Sequence, residues 1–204
     1  RTGLLIATVQ FFIFSGCKKG TTPCPSGGYS FAVTSAWSPQ REVYNIGVTL
    51  NLSSAFPKTL TDRINASLVI NYSSSVGIGG NIIVYKLDSV LHQVSGAVNE
   101  FDFSIVIGTI QNSAQPTRVK DIFYSELTNS YSFNVNIVTK QKGIYALFIS
   151  DLYSSGLQGK NCTNAGFANT LTNSNKNINL FEYAMGRPPA SQYEVDRIYC
   201  FRVQ

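Results

Sequence analysis

Apolar residues recur at every second position through much of this chain. Tyr29, Phe31, Val33 and Trp37 share one side of an extended stretch, followed by Val48, Leu50 and Leu52, then Leu68, Ile70 and Tyr72. The pattern returns in Phe101, Phe103, Ile105 and Ile107, in Tyr131, Phe133, Val135 and Ile137, and in Tyr199, Phe201 and Val203. Positions between them are small or polar, among them Asn51, Ser53, Asp102, Ser104, Ser132, Asn134 and Asn136. A period of two with one polar side predicts strands that are wet on one face. Two other runs, NIIVYKL at 81–87 and GIYALFIS at 143–150, are short and apolar on both sides. They read as central strands covered on both faces.

About eight short strands separated by turn residues predict an all-β domain of two antiparallel sheets packed face to face. Helix is scarce. The clearest case is NINLFEYAMGRPP, where Asn179 can cap, Glu182 follows three later, and Gly186 with Pro188 and Pro189 stops the chain. This one short helix falls in a long late insertion, 152–197, ahead of the final strand.

The front of the chain follows a different pattern. GLLIATVQFFIF at 3–14 is apolar throughout, has Arg1 before it, and leads into Ser15, Gly16 and Cys17. A positive flank, an apolar segment of about 7 to 15 residues and a small-residue exit make a secretory signal. A membrane span needs roughly 20 apolar residues, so the run is too short to stay in the bilayer. Phe14, Ser15, Gly16 and Cys17 resemble the bacterial lipobox, with Phe14 in the place usually held by Leu. That resemblance implies cleavage before Cys17 and acylation of its sulfur and amine. Several acyl chains, at about 0.8 kcal/mol per buried methylene, make a stable anchor. The chain then divides into a signal peptide (1–16), a lipidated Cys with a flexible tether (17–28) and a single β-sandwich domain (29–204).

Charge and cysteines narrow the picture. The formal charge is +5, but the cations are scattered and form no stripe, so nucleic acid is not the expected partner. With Cys17 acylated, Cys24, Cys162 and Cys200 remain, and an oxidising compartment allows any of three pairings. Cys162 with Cys200 is preferred, because it closes a loop-rich segment onto the last strand. No paired short spacing of the zinc kind occurs, and neither a metal nor a cofactor is expected.

VYNIGVTLNLSS, at 43–54, resembles the opening of immunoglobulin-like domains in secreted bacterial proteins, with Val48 where that pattern has Asp. KGIYALFISD, at 142–151, is similar to a late central strand of such domains. With the lipobox, the chain resembles outer-membrane lipoproteins of Bacteroidota. The resemblance implies an immunoglobulin-like sandwich lipid-anchored at the outer membrane. Lys18 and Lys19, where surface-displayed relatives carry acids, favour the periplasmic face over the cell surface. Asp88, Ser89 and Val90 resemble that phylum's O-glycosylation motif, which implies sugar on Ser89.

Candidate chemistry is sparse. His92 is the sole histidine, and no nucleophile motif surrounds it. Glu100 with Asp102, and Glu194 with Asp196, have a strand's same-face spacing, which suits an acid and base or a calcium ligand set as well as it suits a solvated face. GIGG at 77–80 precedes a strand, so it reads as a turn and not as a phosphate loop. Trp37 belongs to an inward set. Tyr153, Phe167, Tyr183 and Tyr193, in the insertion, are the candidate binding surface, since loops at the end of a rigid sandwich carry recognition. The leading expectation is a non-catalytic, tethered interaction subunit that binds an envelope protein. The alternative is a carbohydrate-binding or adhesive module, and a carboxylate-dependent hydrolase comes third. Mass spectrometry of the mature protein is expected to find an acylated N-terminal peptide beginning at Cys17, and Cys17→Ser to move the protein into the soluble fraction.

Overall fold

The computed structural model describes residues 28–204. The expected signal peptide, Cys17 and Cys24 lie outside the described residues. In chain order the strands are β1 (Tyr29–Ser38), β2 (Val43–Tyr44), β3 (Thr49–Pro57), β4 (Thr59–Thr61), β5 (Val69–Asn71), β6 (Gly79–Asp88), β7 (Gln93–Gly96) and β8 (Phe101–Ile107). Then follow β9 (Thr109–Asn112), β10 (Val119–Phe123), β11 (Ser125–Glu126), β12 (Ser130–Thr139), β13 (Gly143–Ile149), β14 (Leu152–Ser154), β15 (Ala165–Leu171) and β16 (Ile198–Val203). Two short helices, α1 (Ile178–Met185) and α2 (Gln192–Val195), lie between the last two strands.

The strands form an all-β, immunoglobulin-like sandwich. One layer runs β8, β12, β3, β1, β15, and the other runs β2, β16, β13, β6, with β7 and β10 sharing the free edge of β6. β14 joins them, pairing with β15 along its length and with β6 where Tyr153 meets Gly79. Most pairings are antiparallel. Two are parallel: β1 with β15, and β2 with β16.

Alternation puts the same residues inside that the sequence pattern marks. Trp37, Leu50, Leu52, Val135 and Ile137 of one layer meet Ile82, Val84, Tyr145, Leu147, Phe201 and Val203 of the other in one cluster. A second, more aromatic cluster gathers Phe31, Phe56, Tyr72, Tyr131 and Phe167. Between them runs a polar seam. Ser35 lies between Val33 and Trp37 on β1, Ser54 between Leu52 and Phe56 on β3, and Asn169 between Phe167 and Leu171 on β15; all three are buried. Ser35 and Ser54 are direct partners across β1 and β3. Ser35 Oγ donates to Asn169 Oδ1 at 2.9 Å, and Ser54 Oγ donates to the Thr34 carbonyl at 2.7 Å. Asn169 Nδ2 is buried without a partner among the described residues.

Several expectations meet corrections. Residues 152–197 are not all periphery, because β15 is a full member of the first layer. Its Phe167 is 0% exposed, so it belongs to the core and not to a binding surface. The pattern was weak because Gly166, Ala168 and the buried Asn169 dilute it. The last strand is not wet on one side: Ile198 and Cys200 lie buried beneath α1. Cys200 is a free thiol there, so the expected Cys162–Cys200 bridge is not formed. Burial pushes that thiol up to about 12. Leu68 is exposed, because β4 and β5 form a separate two-stranded hairpin and only Tyr72 beyond it is fully buried.

The helix itself is found where expected, with a different start. Asn177, in the left-handed region at φ 52°, is the N-cap and makes no side-chain cap bond. Its Nδ2 instead donates to the carbonyls of Cys200 (2.7 Å) and Arg41 (3.0 Å), which ties the helix start to β16. Asn179 is exposed inside the first turn and no capping box forms with Glu182. Gly186 closes the helix at φ 65°, the conformation for which glycine is suited. His92, in the β6–β7 turn, places Nδ1 2.9 Å from the Ala184 carbonyl, so it secures the helix end.

Tyr44, Tyr131 and Tyr145 are buried and Tyr124 is partly buried, with their hydroxyls engaged or enclosed. Tyr145 donates to Glu100, whose Oε2 also accepts Lys86 Nζ at 2.8 Å. Burial, then the Glu100 bond and charge, raise Tyr145 well above the phenol range; burial and Tyr199 do the same for Tyr44. Burial pushes Tyr124 and Tyr131 up to about 12. The unfolded chain loses these protons near pH 10 while the folded one keeps them, so their contribution is complete below pH 10 and is lost above it. Thermal melts are expected to show a falling midpoint as pH rises past about 10, with tyrosinate absorbance appearing in step with unfolding. Phe167→Ala is expected to cost about 3 to 5 kcal/mol in denaturant titration, through the cavity opened in the aromatic cluster.

Candidate functional site

β6, β13 and β16 are apolar on their outer as well as their inner side. Leu180, Ala184 and Met185 of α1 cover Leu87, Ala146 and Cys200 on that outer side. The helix is only eight residues long, or about 12 Å at 1.5 Å per residue, and cannot span the whole face. What it leaves uncovered is a groove of about 390 Å³. Ile83 and Tyr85 of β6, Phe148 of β13 and Ile198 of β16 form its floor. Val94 of β7 and Phe181 of α1 form its sides, and Arg187, Ser191, Tyr193 and Glu194 form its rim.

The rim is held by α2. Ser191 caps it, accepting Glu194 N–H at 3.3 Å, while Glu194 Oε2 accepts Ala190 N–H at 2.7 Å. Tyr193 is locked from below. The Arg197 guanidinium lies 3.6 Å from its ring centre, and its hydroxyl donates to Asp151 Oδ2 at 3.1 Å. The nearly buried Arg197 donates to Asp151 Oδ1 through Nη2 (2.7 Å) and Nε (3.2 Å), and through Nη1 to the Tyr193 carbonyl at 3.1 Å. Burial and the Asp151 charge raise the Tyr193 hydroxyl above its ordinary value, against the lowering effect of Arg197. Its ring centre is 6.2 Å from that of Phe148, which makes a continuous aromatic corner.

Of the four expected surface residues, Tyr193 alone lines this groove. Tyr153 is exposed on β14, and Tyr183 is exposed on α1 with Arg202 5.9 Å from its ring centre. Neither belongs to the groove lining. Phe167 is in the core. Tyr85 and Phe148 were missed, although the sequence holds their signal: bulky aromatics at the outward register of runs too apolar to face water.

The paired carboxylates do not converge. Glu100, in a 3-10 turn before β8, is held by Lys86 and Tyr145, whereas exposed Asp102 meets Lys140 at 2.9 Å. Glu194 and Asp196 lie on and just after a helix, not on a strand. Asp196 accepts from Gln192 at 2.8 Å and lies 3.7 Å from Lys176. Within the groove Glu194 is the single carboxylate, and one of its oxygens is already taken. Among the described residues, no three His, Cys, Asp or Glu side chains gather where they could hold a metal ion. No described helix is long and apolar enough to cross a membrane.

No family model matches the chain, and no curated protein matches it. Among solved structures, it is similar to the second type II cohesin module from the cellulosomal adaptor ScaA scaffoldin of Acetivibrio cellulolyticus. The two share 9% identity over 59% of this chain and 76% of that one, with a TM-score of 0.29. It is likewise similar to a type II cohesin domain from the cellulosome of Acetivibrio cellulolyticus, at 8% identity over 68% of this chain and 84% of that one, with a TM-score of 0.30. Likeness at this level carries no argument about what the chain binds.

Proposed function

We propose that this chain is a non-catalytic interaction module, tethered to the outer membrane through Cys17, that takes an apolar segment of an envelope protein into the groove floored by Ile83, Tyr85 and Phe148. The observation that carries the reading is a half-buried aliphatic and aromatic floor with one cation, Arg187, and one anion, Glu194, at its rim. Apolar centres with polar rims are what protein partners bury. Tyr193 is pre-positioned by Arg197 and Asp151, so little side-chain freedom is lost when a partner packs on it.

The aromatic corner of Tyr85, Phe148 and Tyr193 supports the second reading, a glycan platform. Sugar recognition also needs hydrogen-bonding groups beside the rings, and here the Tyr193 hydroxyl and one Glu194 oxygen are engaged within the protein. The protein-partner reading is therefore the better supported. Hydrolysis would need two carboxyls flanking the bound substrate, and this groove offers one.

Val94→Glu and Tyr193→Ala alter exposed groove residues and spare the core. In affinity capture from detergent-solubilised membranes, each is expected to reduce recovery of the partner tenfold or more, the scale of a hot-spot loss of about 1.4 kcal/mol. Unchanged recovery with both variants overturns the groove as the binding site. Retention of the wild type on a polysaccharide, lost in Tyr193→Ala, replaces the protein partner with a glycan.

A further inference from the structure

The end of the sandwich where β1 begins carries a second surface. Tyr29 N–H donates to the Asn164 carbonyl at 2.9 Å, Ser30 N–H to Asp62 Oδ2 at 2.9 Å, and Arg63 N–H back to the Ser30 carbonyl at 2.6 Å. The loop between β4 and β5 is thus clamped against the first residues of the domain. Asp62 Oδ1 also accepts the N–H groups of Ile64 and Asn65, each at 2.8 Å. These backbone donors, Ser30 first, hold the Asp62 carboxyl below its usual range, so it stays an anion facing inward.

That turn throws Ile64 outward. It is 81% exposed, and Leu68 and Val69 are exposed on the same hairpin. Arg63 and, on the adjoining loop, Lys160 are exposed as well, and neither is in an ion pair among the described residues. The nearby acids are occupied, Asp62 by backbone donors and Glu126 by Lys58 at 2.7 Å. Apolar tips flanked by unmatched cations suit the boundary between acyl chains and anionic headgroups.

We propose that Ile64, Leu68 and Val69, with Arg63 and Lys160, rest on the anionic bilayer surface to which Cys17 is anchored. This rests on the tether reading. The segment from Cys17 to Gly28 enters the domain at this end and spans at most about 40 Å even fully extended, so an anchor at Cys17 keeps this end within that distance of the lipid. The opposite end, where Val90 is 83% exposed in the β6–β7 turn, lies beyond the ten residues of β6, roughly 30 Å further along. Membrane contact at the near end leaves the groove clear for its partner.

The test uses the full chain, matured in a bacterial host and reconstituted with phosphatidylethanolamine and phosphatidylglycerol vesicles whose acyl chains carry bromine. The native Trp37 is 1% exposed and gives a constant background. Ile64→Trp is expected to lose about half of its added emission to bromine quenching, as a residue seated at the acyl boundary would, and Val90→Trp to lose none. Both sites are exposed, so neither substitution disturbs packing. Protein that floats with the vesicles yet shows equal, unquenched emission at 64 and 90 overturns the surface contact and leaves the tether standing. Protein that does not float, with no lipid on Cys17, overturns both.

Discussion

The constraint on which this structure rests is that β6, β13 and β16 are apolar on both sides. One side is satisfied by the opposing sheet. The other must be taken from water by something else, and burying a large aliphatic or aromatic side chain contributes about 1.5 to 3 kcal/mol. Helix α1 provides that cover, and its placement is fixed from both ends, by Asn177 on the carbonyls of Cys200 and Arg41 and by His92 on Ala184. Because the helix is short, the remainder of the same apolar surface is left as the groove. The candidate site is thus the unfilled part of a packing requirement, with α2 and the Arg197–Asp151 pair holding its rim.

The opposite layer solves a different problem. Ser35, Ser54 and Asn169 interrupt three neighbouring inward faces at one level, which splits the interior into two clusters. Buried polar groups are costly unless paired, and the two hydroxyls and Asn169 Oδ1 all find partners within the seam or on the backbone. Asn169 Nδ2 is the one group of the seam without a partner among the described residues. One physical effect of such a seam is register: a slip of β1 against β3 would move Ser35 and Ser54 out of alignment and place them among Leu and Phe side chains.

Much of the sheet was legible in the sequence because its information is local. Alternation in Phe31 to Trp37, Leu50 to Leu52 and Tyr131 to Ile137 identifies inward faces without knowledge of any partner strand. The two-faced runs likewise announced the central strands β6 and β13. What could not be read was long-range. That Phe167 lies in the core depends on β15 pairing with β1, residues that are far apart in the chain, and its weak pattern of Gly, Ala and Asn hid the strand. Cys200 illustrates the same limit: spacing allowed a bridge to Cys162, but only the position of α1 shows the thiol enclosed. Tyr85 and Phe148 carried a readable signal whose meaning depended on how far one helix would extend.

The parallel pairing of β1 with β15 joins Tyr29 to Ala165 and continues to Ser35 against Leu171. A strand at the front of the domain therefore acquires its second neighbour only when residues more than a hundred positions downstream arrive. Pairing β2 with β16 imposes the same wait. Chains ruled by such distant contacts fold slowly. For a polypeptide emerging from its front end, this wiring leaves β1 and β2 each short of a neighbour until nearly all of the chain is available, so final closure of the sandwich is held to the end by topology alone.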